Sequence, residues 1–430
     1  LKMIYKLIFI LGAKLRNPSL FKIYKSLKKT EMFTADELKE VKNYNAREFF
    51  SFVYDYSPYY RQKFDEVGFI PNEIDDFTDL SKLPITEKRD LLEKNKLIRS
   101  DFRFKKIFMA ETSGTSGESL EFPRDEEWDS CNRASQMRCY DWYGVKPWES
   151  SLYFWGFDIK GLKRIRVSLL DKLSNRTRLF SYSVNSINEL FSNRKRIRYI
   201  EGYSSMIYEI AKTYNTHNSS SLAAIKMVKG TSEMIFDAYQ PEIIKAFGGK
   251  MVSEYGAAEA GLIAFECVEG KLHIMEENLI LEEDVDGALL VTNLKSKSFP
   301  IIRYRLGDSV RFDSSGCSCG LNHGIIREIE GRVGLKVIGR GAEFPALTIY
   351  YIFKNIAERE SILINYKARQ EVIGQLIIDV EGVNDPDIQR YIEKEAFKYF
   401  GESISITVVF IDRFTVGDSK RRYFETSLRR

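Results

Sequence analysis

Long hydrophobic runs are missing from this 430-residue chain, and so are the motifs of several common catalytic sites. The apolar stretch "MIYKLIFILGAKL" near the start is broken by Lys6 and falls short of the roughly 20 residues a bilayer-spanning helix needs. No small-residue cleavage site follows it, which argues against a secretion signal. Five cysteines are too few for a disulfide scaffold and predict a reducing, cytoplasmic setting. The GxxxxGK[ST] phosphate loop, the GxSxG elbow and HExxH are all absent, and no Ser/His/Asp hydrolase order is visible. Of three histidines, His217 sits in the polar "YNTHNSSS" and reads as a surface residue. Acidic residues are missing from Leu1 to Thr30, where Lys2, Lys6, Lys14, Arg16, Lys22, Lys25, Lys28 and Lys29 stand. The expectation is an N-terminal helix packed on its own domain; the alternative is a basic amphipathic helix on the inner face of a membrane, a peripheral contact through residues 1–30.

What is present describes a globular protein: 44% hydrophobic and 29% charged residues, with a net charge of only +4, too small for its length to predict a nucleic-acid partner. The length calls for two or three domains. Residues 1–100 read as largely helical, with Thr86 as an N-cap ahead of a charged helix. A helical run follows from Asp125 to Tyr143, in which Cys131 and Cys139 are packing residues. Apolar strands alternating with helices then predict an α/β fold of helix-covered sheets, and beyond residue 333 a compact α+β unit. The basic run between Lys160 and Arg198 reads as a solvated helix face, with an anionic cofactor tail, a membrane or a nucleic acid as the alternative partners.

The run "AETSGTSGESLEF", residues 110–122, is the first sign of chemistry. Thr112, Ser113, Gly114, Thr115, Ser116 and Gly117 make neither a core strand nor a good helix. Their N–H groups and hydroxyls suit a loop around a phosphate chain, with a Ser/Gly linker as the bland alternative. Three later segments share this character: "GTSEM" (230–234), following a strand and opening a helix; "SEYGAAEAG" (253–261), with Glu259; and "RYRLGD" (303–308), ending on Asp308. Strand ends deliver such loops to one edge of a sheet, where they form a pocket. Glu259 suits a Mg²⁺ ion shared with substrate phosphates, and Asp308 a ribose diol.

These motifs, with "YSPYYRQKFDEVGF", "LPITEKRDLL" and "EGRVGLKVIGRGAEFP", resemble the adenylate-forming (acyl-AMP-forming) enzymes, in particular the phenylacetate–CoA ligase branch and its capsular-polysaccharide-biosynthesis relatives. The resemblance spans most of the chain. It implies a large N-terminal domain, residues 1–332, that binds ATP and a carboxylic acid, and a small mobile C-terminal domain, 333–430. It implies that "TSGTSGES" closes over the ATP phosphates and that Ser232 and Glu233 line the adenine. Tyr255 and Gly256 would lie by the adenine and substrate pocket. Glu259 would hold Mg²⁺, Asp308 and Arg332 would sit at the ribose, and Lys420 of "TVGDSKRRYF" would be the mobile catalytic lysine. A lysine there suits attack of a carboxylate on the α-phosphate, where a point charge offsets converging anions. The implied activity is a ligase that makes acyl-AMP and pyrophosphate, then passes the acyl group to CoA. The alternatives are an amine acceptor in surface-glycan synthesis and, more remotely, a non-catalytic scaffold retaining the fold. Leu120 stands where many members carry a lysine, and Gly334 where the hinge is often Asp or Lys.

"FECVEGKLHI" and "SSGCSCGLNHG" gather three of the five cysteines and two of the three histidines. Cys267, His273, Cys317 and Cys319 predict a closed, structural Zn²⁺ site between two β-hairpins, with His323 as the alternative fourth ligand. Some members of the resembling branch hold zinc at such a cluster.

Overall fold

The computed structural model describes residues 2–74, 77–112, 119–154, 161–179, 187, 189–191, 197–218, 221–222, 225–332, 336–414 and 423–428, with the backbone alone at 161–163, 331, 332, 345, 347, 354 and 358. Among the described residues six α-helices precede the first strand: α1 (Lys2–Arg16), α2 (Leu20–Thr30), α3 (Ala35–Tyr56), α4 (Pro58–Val67), α5 (Lys88–Glu93) and α6 (Asn95–Ile98). Local chemistry sets their ends. Thr34 and Glu37 form a reciprocal capping box at the start of α3. Pro58 opens α4, and Gly68 closes it in the left-handed region. Thr86 is not the cap of α5. Glu87 takes that place with Asp90, while Thr86 is buried, bridges to Tyr304 and donates to the carbonyl of Ile302. Its hydroxyl serves the sheet, and a carboxylate one residue later caps the helix.

A hairpin, β1 (Ile107–Glu111) and β2 (Glu121–Asp125), flanks the loop rich in Thr, Ser and Gly. Then come α7 (Glu126–Trp142), capped by Asp125, β3 (Ser151–Phe154), α8 (Gly161–Leu173), β4 (Arg176–Arg178), β5 (Tyr199–Tyr203), α9 (Ser204–His217), β6 (Met227–Thr231), α10 (Gln240–Phe247) and β7 (Met251–Ala257). The strands β8 (Gly261–Glu266), β9 (Leu272–Ile274), β10 (Leu279–Glu283), β11 (Ala288–Asn293), β12 (Ile301–Asp313) and β13 (Ile325–Arg332) follow. Among the described residues one eleven-stranded sheet runs in the order β10-β11-β12-β13-β9-β8-β7-β6-β5-β3-β4. Strands β3 to β7 are parallel neighbours with helical crossovers, and from β8 onward the pairing is antiparallel. The parallel half is largely buried, and its charged residues pair within it: Lys229 on β6 meets Glu201 on β5 and Glu254 on β7.

The chain continues through β14 (Lys336–Ile338), β15 (Glu343–Pro345), α11 (Leu347–Glu360), β16 (Tyr366–Gln370), β17 (Gln375–Glu381), α12 (Pro386–Phe400), β18 (Ser405–Ile411) and β19 (Phe424–Thr426). These last four strands make their own sheet, β18-β17-β16-β19, around a core that includes Ile352, Tyr366, Ile378 and Ile392. The mixed α/β class and the small C-terminal α+β unit are as the sequence predicted. Cys131 and Cys139 are buried on α7, as packing residues should be.

Candidate active site and metal centre

The root of the phosphate-loop candidate is pinned. Thr112 is buried; its N–H donates to the Leu120 carbonyl (3.0 Å), and its Oγ1 accepts from Leu120 N–H (2.9 Å). Ser119 Oγ donates back to the Thr112 carbonyl (2.6 Å). Leu120 is fully buried in the core under the N-terminal helices, so this position supplies packing where a lysine would supply charge. Ser113, Gly114, Thr115, Ser116 and Gly117 lie outside the described residues, as do Gly334 and Lys420.

At the carboxyl end of β6, Ser232 turns the chain with φ +68°. The following residues do not open a helix directly. They run irregularly to a short 3₁₀ turn at Asp237–Tyr239, and α10 starts only where Pro241 supplies its fixed φ. Glu233 reaches sideways, its Oε2 accepting from Ser205 N–H (2.8 Å) in the first turn of α9. That carboxylate sits on the positive end of a helix, a favourable place for it.

The switch from parallel to antiparallel pairing at β7 and β8 places the next residues. Tyr255 is buried on β7, and its hydroxyl donates to Asp308 Oδ2 on β12 (2.8 Å). The two motifs, 53 residues apart in sequence, are thereby one site. A Cβ on Gly256 would lie 2.4 Å from the Gly261 carbonyl oxygen, so only glycine fits this turn into β8. Glu259, in that turn, is 93% buried (7% exposed) and accepts from the Tyr304 hydroxyl (3.3 Å). Arg124 on β2 donates from Nη2 to the Ala258 carbonyl (2.6 Å), and its buried Nε has no partner among the described residues. Burial lowers the pKa of Arg124 despite the attraction of Asp129 and Glu259. Asp308 pairs in register with Arg332 on β13, whose backbone alone is described. Tyr304 and Arg124 carry no motif of their own. Tyr304 falls within "RYRLGD", but its contact with Glu259 needs the sheet to exist. Arg124 is signalled only as a charge on a strand otherwise destined for the core.

Cys267, His273, Cys317 and Cys319 have ligand atoms that all lie within 4.8 Å of one another. The turn after β8 carries Cys267, β9 carries His273, and the connection between β12 and β13 carries the other two. The two hairpins are adjacent because β9 pairs with β13, His273 opposite Ile325. Cys267 and Cys317 sulfurs are 3.7 Å apart, and Cys319 Sγ lies 3.3 Å from His273 Nε2. Sulfurs about 2.3 Å from one tetrahedral zinc stand about 3.8 Å apart, so the spacing fits. His273 Nδ1 lies 3.1 Å from the His323 carbonyl oxygen, to which it can donate, leaving Nε2 as the lone pair aimed at the cluster. Burial lowers the pKa of His273 and favours the neutral ring a metal needs. Burial raises Cys267, and raises Cys319 to about 12, which a cation at the centre would reverse. His323 lies outside this four-residue cluster. Its Nε2 faces Glu277 Oε1 (2.9 Å) in a buried network with Arg138, so it supports His273 through its backbone. His217 ends α9, exposed, its Nδ1 lying 3.0 Å from the Thr213 carbonyl.

No family model matches the chain. It is 22% identical over 410 residues to Protein CapK of Staphylococcus aureus, covering 90% of this chain and 89% of that one. To phenylacetate-coenzyme A ligase of Thermus thermophilus it is 20% identical over 406 residues, 87% and 86% of the two chains. Among solved structures, 2-hydroxyisobutyryl-CoA ligase in the postadenylation state, in complex with R3-HIB-AMP, superposes with a TM-score of 0.73 over 93% of this chain and 92% of that one, at 15% identity. The chain thus has the fold of the adenylate-forming ligases, and in sequence it is similar along most of its length to their phenylacetate–CoA ligase-like and capsular branch.

Proposed function

We propose that this protein is an adenylate-forming ligase. It activates a carboxylic acid with MgATP to an acyl-AMP, releasing pyrophosphate, and then passes the acyl group to CoA. The observation that carries this reading is the Tyr255–Asp308 hydrogen bond beside the buried Glu259, at the edge where parallel pairing gives way to antiparallel. Ligands in such sheets bind outside the carboxyl ends of the strands.

In this reading Thr112 anchors the loop Ser113–Gly117 over the ATP phosphates, and Ser232, Glu233, Tyr255 and Gly256 border the adenine. Asp308, with Arg332, receives the ribose hydroxyls, and Tyr255 fixes its carboxylate. Glu259 holds Mg²⁺, with Tyr304 orienting it. Bound there, the ion would screen the phosphate charge and complete its oxygen shell from ATP and water. Lys420 brings its ammonium to the carboxylate and α-phosphate oxygens. Residues 1–332 form the nucleotide- and acid-binding domain, and 333–430 a small mobile domain. Cys267, His273, Cys317 and Cys319 hold a structural zinc, since four protein ligands leave no open position. The five free cysteines and the use of MgATP suit the cytoplasm, and any membrane contact is assigned to the basic residues 1–30.

Carboxylate-dependent ATP–pyrophosphate exchange tests the first half-reaction. Exchange with one class of acid, lost in Lys420→Ala and Asp308→Ala, is the expected result. ATP binding without exchange for any acid, unchanged in both variants, would favour the scaffold reading. Adding CoA, or amines, to enzyme holding acyl-AMP and following AMP release then decides the acceptor; release with amines alone would replace CoA by an amide-forming step.

A further inference from the structure

Helix α1 has two apolar faces, and only one is covered. Phe9 packs on Trp148, with ring centroids 5.5 Å apart, and on Phe21. Ala13, on the same face, joins a cluster with Leu20, Leu27, Ala134 and Met137. On the opposite side Met3, Leu7, Leu11 and Leu15 recur every fourth residue, with Ile4 beside them, each 55–78% exposed. A helix on the surface of a globular protein ordinarily turns polar residues outward there. Helix α8 repeats the pattern independently. Ile165, Leu169, Leu170 and Leu173 are 42–68% exposed, while Asp171 turns inward to Arg176 (2.6 Å) and Arg178 (2.9 Å).

The two helices converge on one loop. Lys2 pairs with Glu149 (2.7 Å), and Lys6 stands over the Trp148 ring. Asn175, just past the end of α8, donates from Nδ2 to the Trp148 carbonyl (3.2 Å). Two apolar stripes thus flank the same anchor.

Charge decides what covers them. Residues 1–30 contain no acid. Exposed Lys14, Lys22, Lys25 and Lys29 have no acidic partner among the described residues. Arg164, Arg166 and Lys172 border the stripe on α8. A second copy of the chain would set these cations against their own kind. Lys14 beside the stripe on α1, with the lysines of the adjoining α2, and Arg164, Arg166 and Lys172 beside the stripe on α8 instead match phosphate headgroups lying over acyl chains. No described helix is long and apolar enough to cross a membrane, so the mode of contact is lateral. We propose that α1 and α8 together form a docking surface for an anionic lipid bilayer.

Flotation of the full chain with vesicles of phosphatidylcholine, with and without phosphatidylglycerol, tests this. The wild-type chain is expected to float with the anionic vesicles, less so at high salt, and weakly with phosphatidylcholine alone. The pair Leu7→Glu with Leu11→Glu, and separately Leu169→Glu, should each lower the partition coefficient by about tenfold or more. These side chains are exposed, so circular dichroism should show an unchanged fold. A wild-type chain that stays with the aqueous phase, or variants that float as well as it does, would overturn the proposal. So would a concentration-dependent dimer, seen by sedimentation velocity, that the same substitutions dissociate while vesicles bind nothing.

Discussion

Tyr255 spends its hydroxyl on Asp308, and Tyr304 spends its own on Glu259. A carboxylate so held keeps one oxygen oriented. Tyr255→Phe removes a hydrogen bond to a charged group, worth about 1.5–3 kcal/mol. The expected outcome is a fall in kcat/KM for ATP of roughly tenfold to a hundredfold in pyrophosphate exchange, with the larger share in KM. A second residue-scale prediction concerns Glu277. Burial alone would raise its pKa, but the Arg138 guanidinium and His323 outweigh it and hold the carboxyl well below the usual carboxylate range. Arg138 is itself fully buried. Glu277→Ala, which leaves that cation unpaired, is expected to cost about 3–5 kcal/mol in urea unfolding. The sign of the pH effect follows from the depressed pKa. The stability Glu277 contributes is complete above the unfolded carboxyl value of about 4.3 and is lost as pH falls below it toward the folded value. Titrating stability from neutral to acid in the wild-type chain and in Glu277→Gln checks this: the variant should show the shallower decline.

At the scale of elements, hairpins decide where side chains meet. Gly256 is at once a turn residue and a packing constraint, because its α-carbon faces the Gly261 backbone. Gly256→Ala forces β7 and β8 apart, and both reduced stability and loss of exchange are expected, since Tyr255 and Glu259 flank the distortion. The Cys/His cluster is likewise a property of two hairpins. Cys317→Ser is expected to lower the zinc content, measured by elemental analysis of chelator-washed protein, from about one per chain to near zero. Amide exchange should then quicken in β9 and β13, which the site clips together. Near-zero metal in the well-folded wild-type chain would remove the zinc assignment. The donor pattern was legible in the sequence because sulfur and imidazole are rare in this chain. The sequence puts His273 first, with His323 as the alternative; that the His323 ring turns to a buried acid was visible only in the fold, because it depends on which ring Glu277 reaches.

Across the whole molecule, described residues of the small C-terminal unit touch β12 and β13 through the Tyr350 and Tyr351 hydroxyls, which bond Glu328, Glu330 and Arg311, and also touch α9 and the segment after β6. Arg413 donates from Nη2 to the Glu209 carbonyl (2.6 Å) and to Thr213 Oγ1 (2.8 Å), besides bonding the Glu209 carboxylate. Lys212 meets Glu381, and Phe236 packs edge-on against Tyr366 at 5.4 Å. Polar contacts between domains are in general easily shifted. Arg413→Ala is expected to loosen it, read as faster limited proteolysis between residues 332 and 336 with unchanged helix and strand content. Unchanged cleavage would mean that Arg413 is not part of the attachment.

The sequence by itself determined the α/β class, the helical N-terminal part, the small C-terminal α+β unit, the four polar glycine-bearing segments and the Cys/His donor set. Each of these rests on local periodicity, turn chemistry or residue scarcity, which neighbouring residues express without help from the rest of the chain. Only the tertiary structure decided that Tyr255 answers Asp308, that Tyr304 bonds Glu259 and Arg124 the neighbouring Ala258 carbonyl, that Thr86 serves β12, and that α1 turns a second apolar face outward. Those outcomes depend on strand register and on which surface a neighbouring element covers. Both are set by pairing between residues far apart in the chain, where a one-residue slip would turn every side chain to the other face.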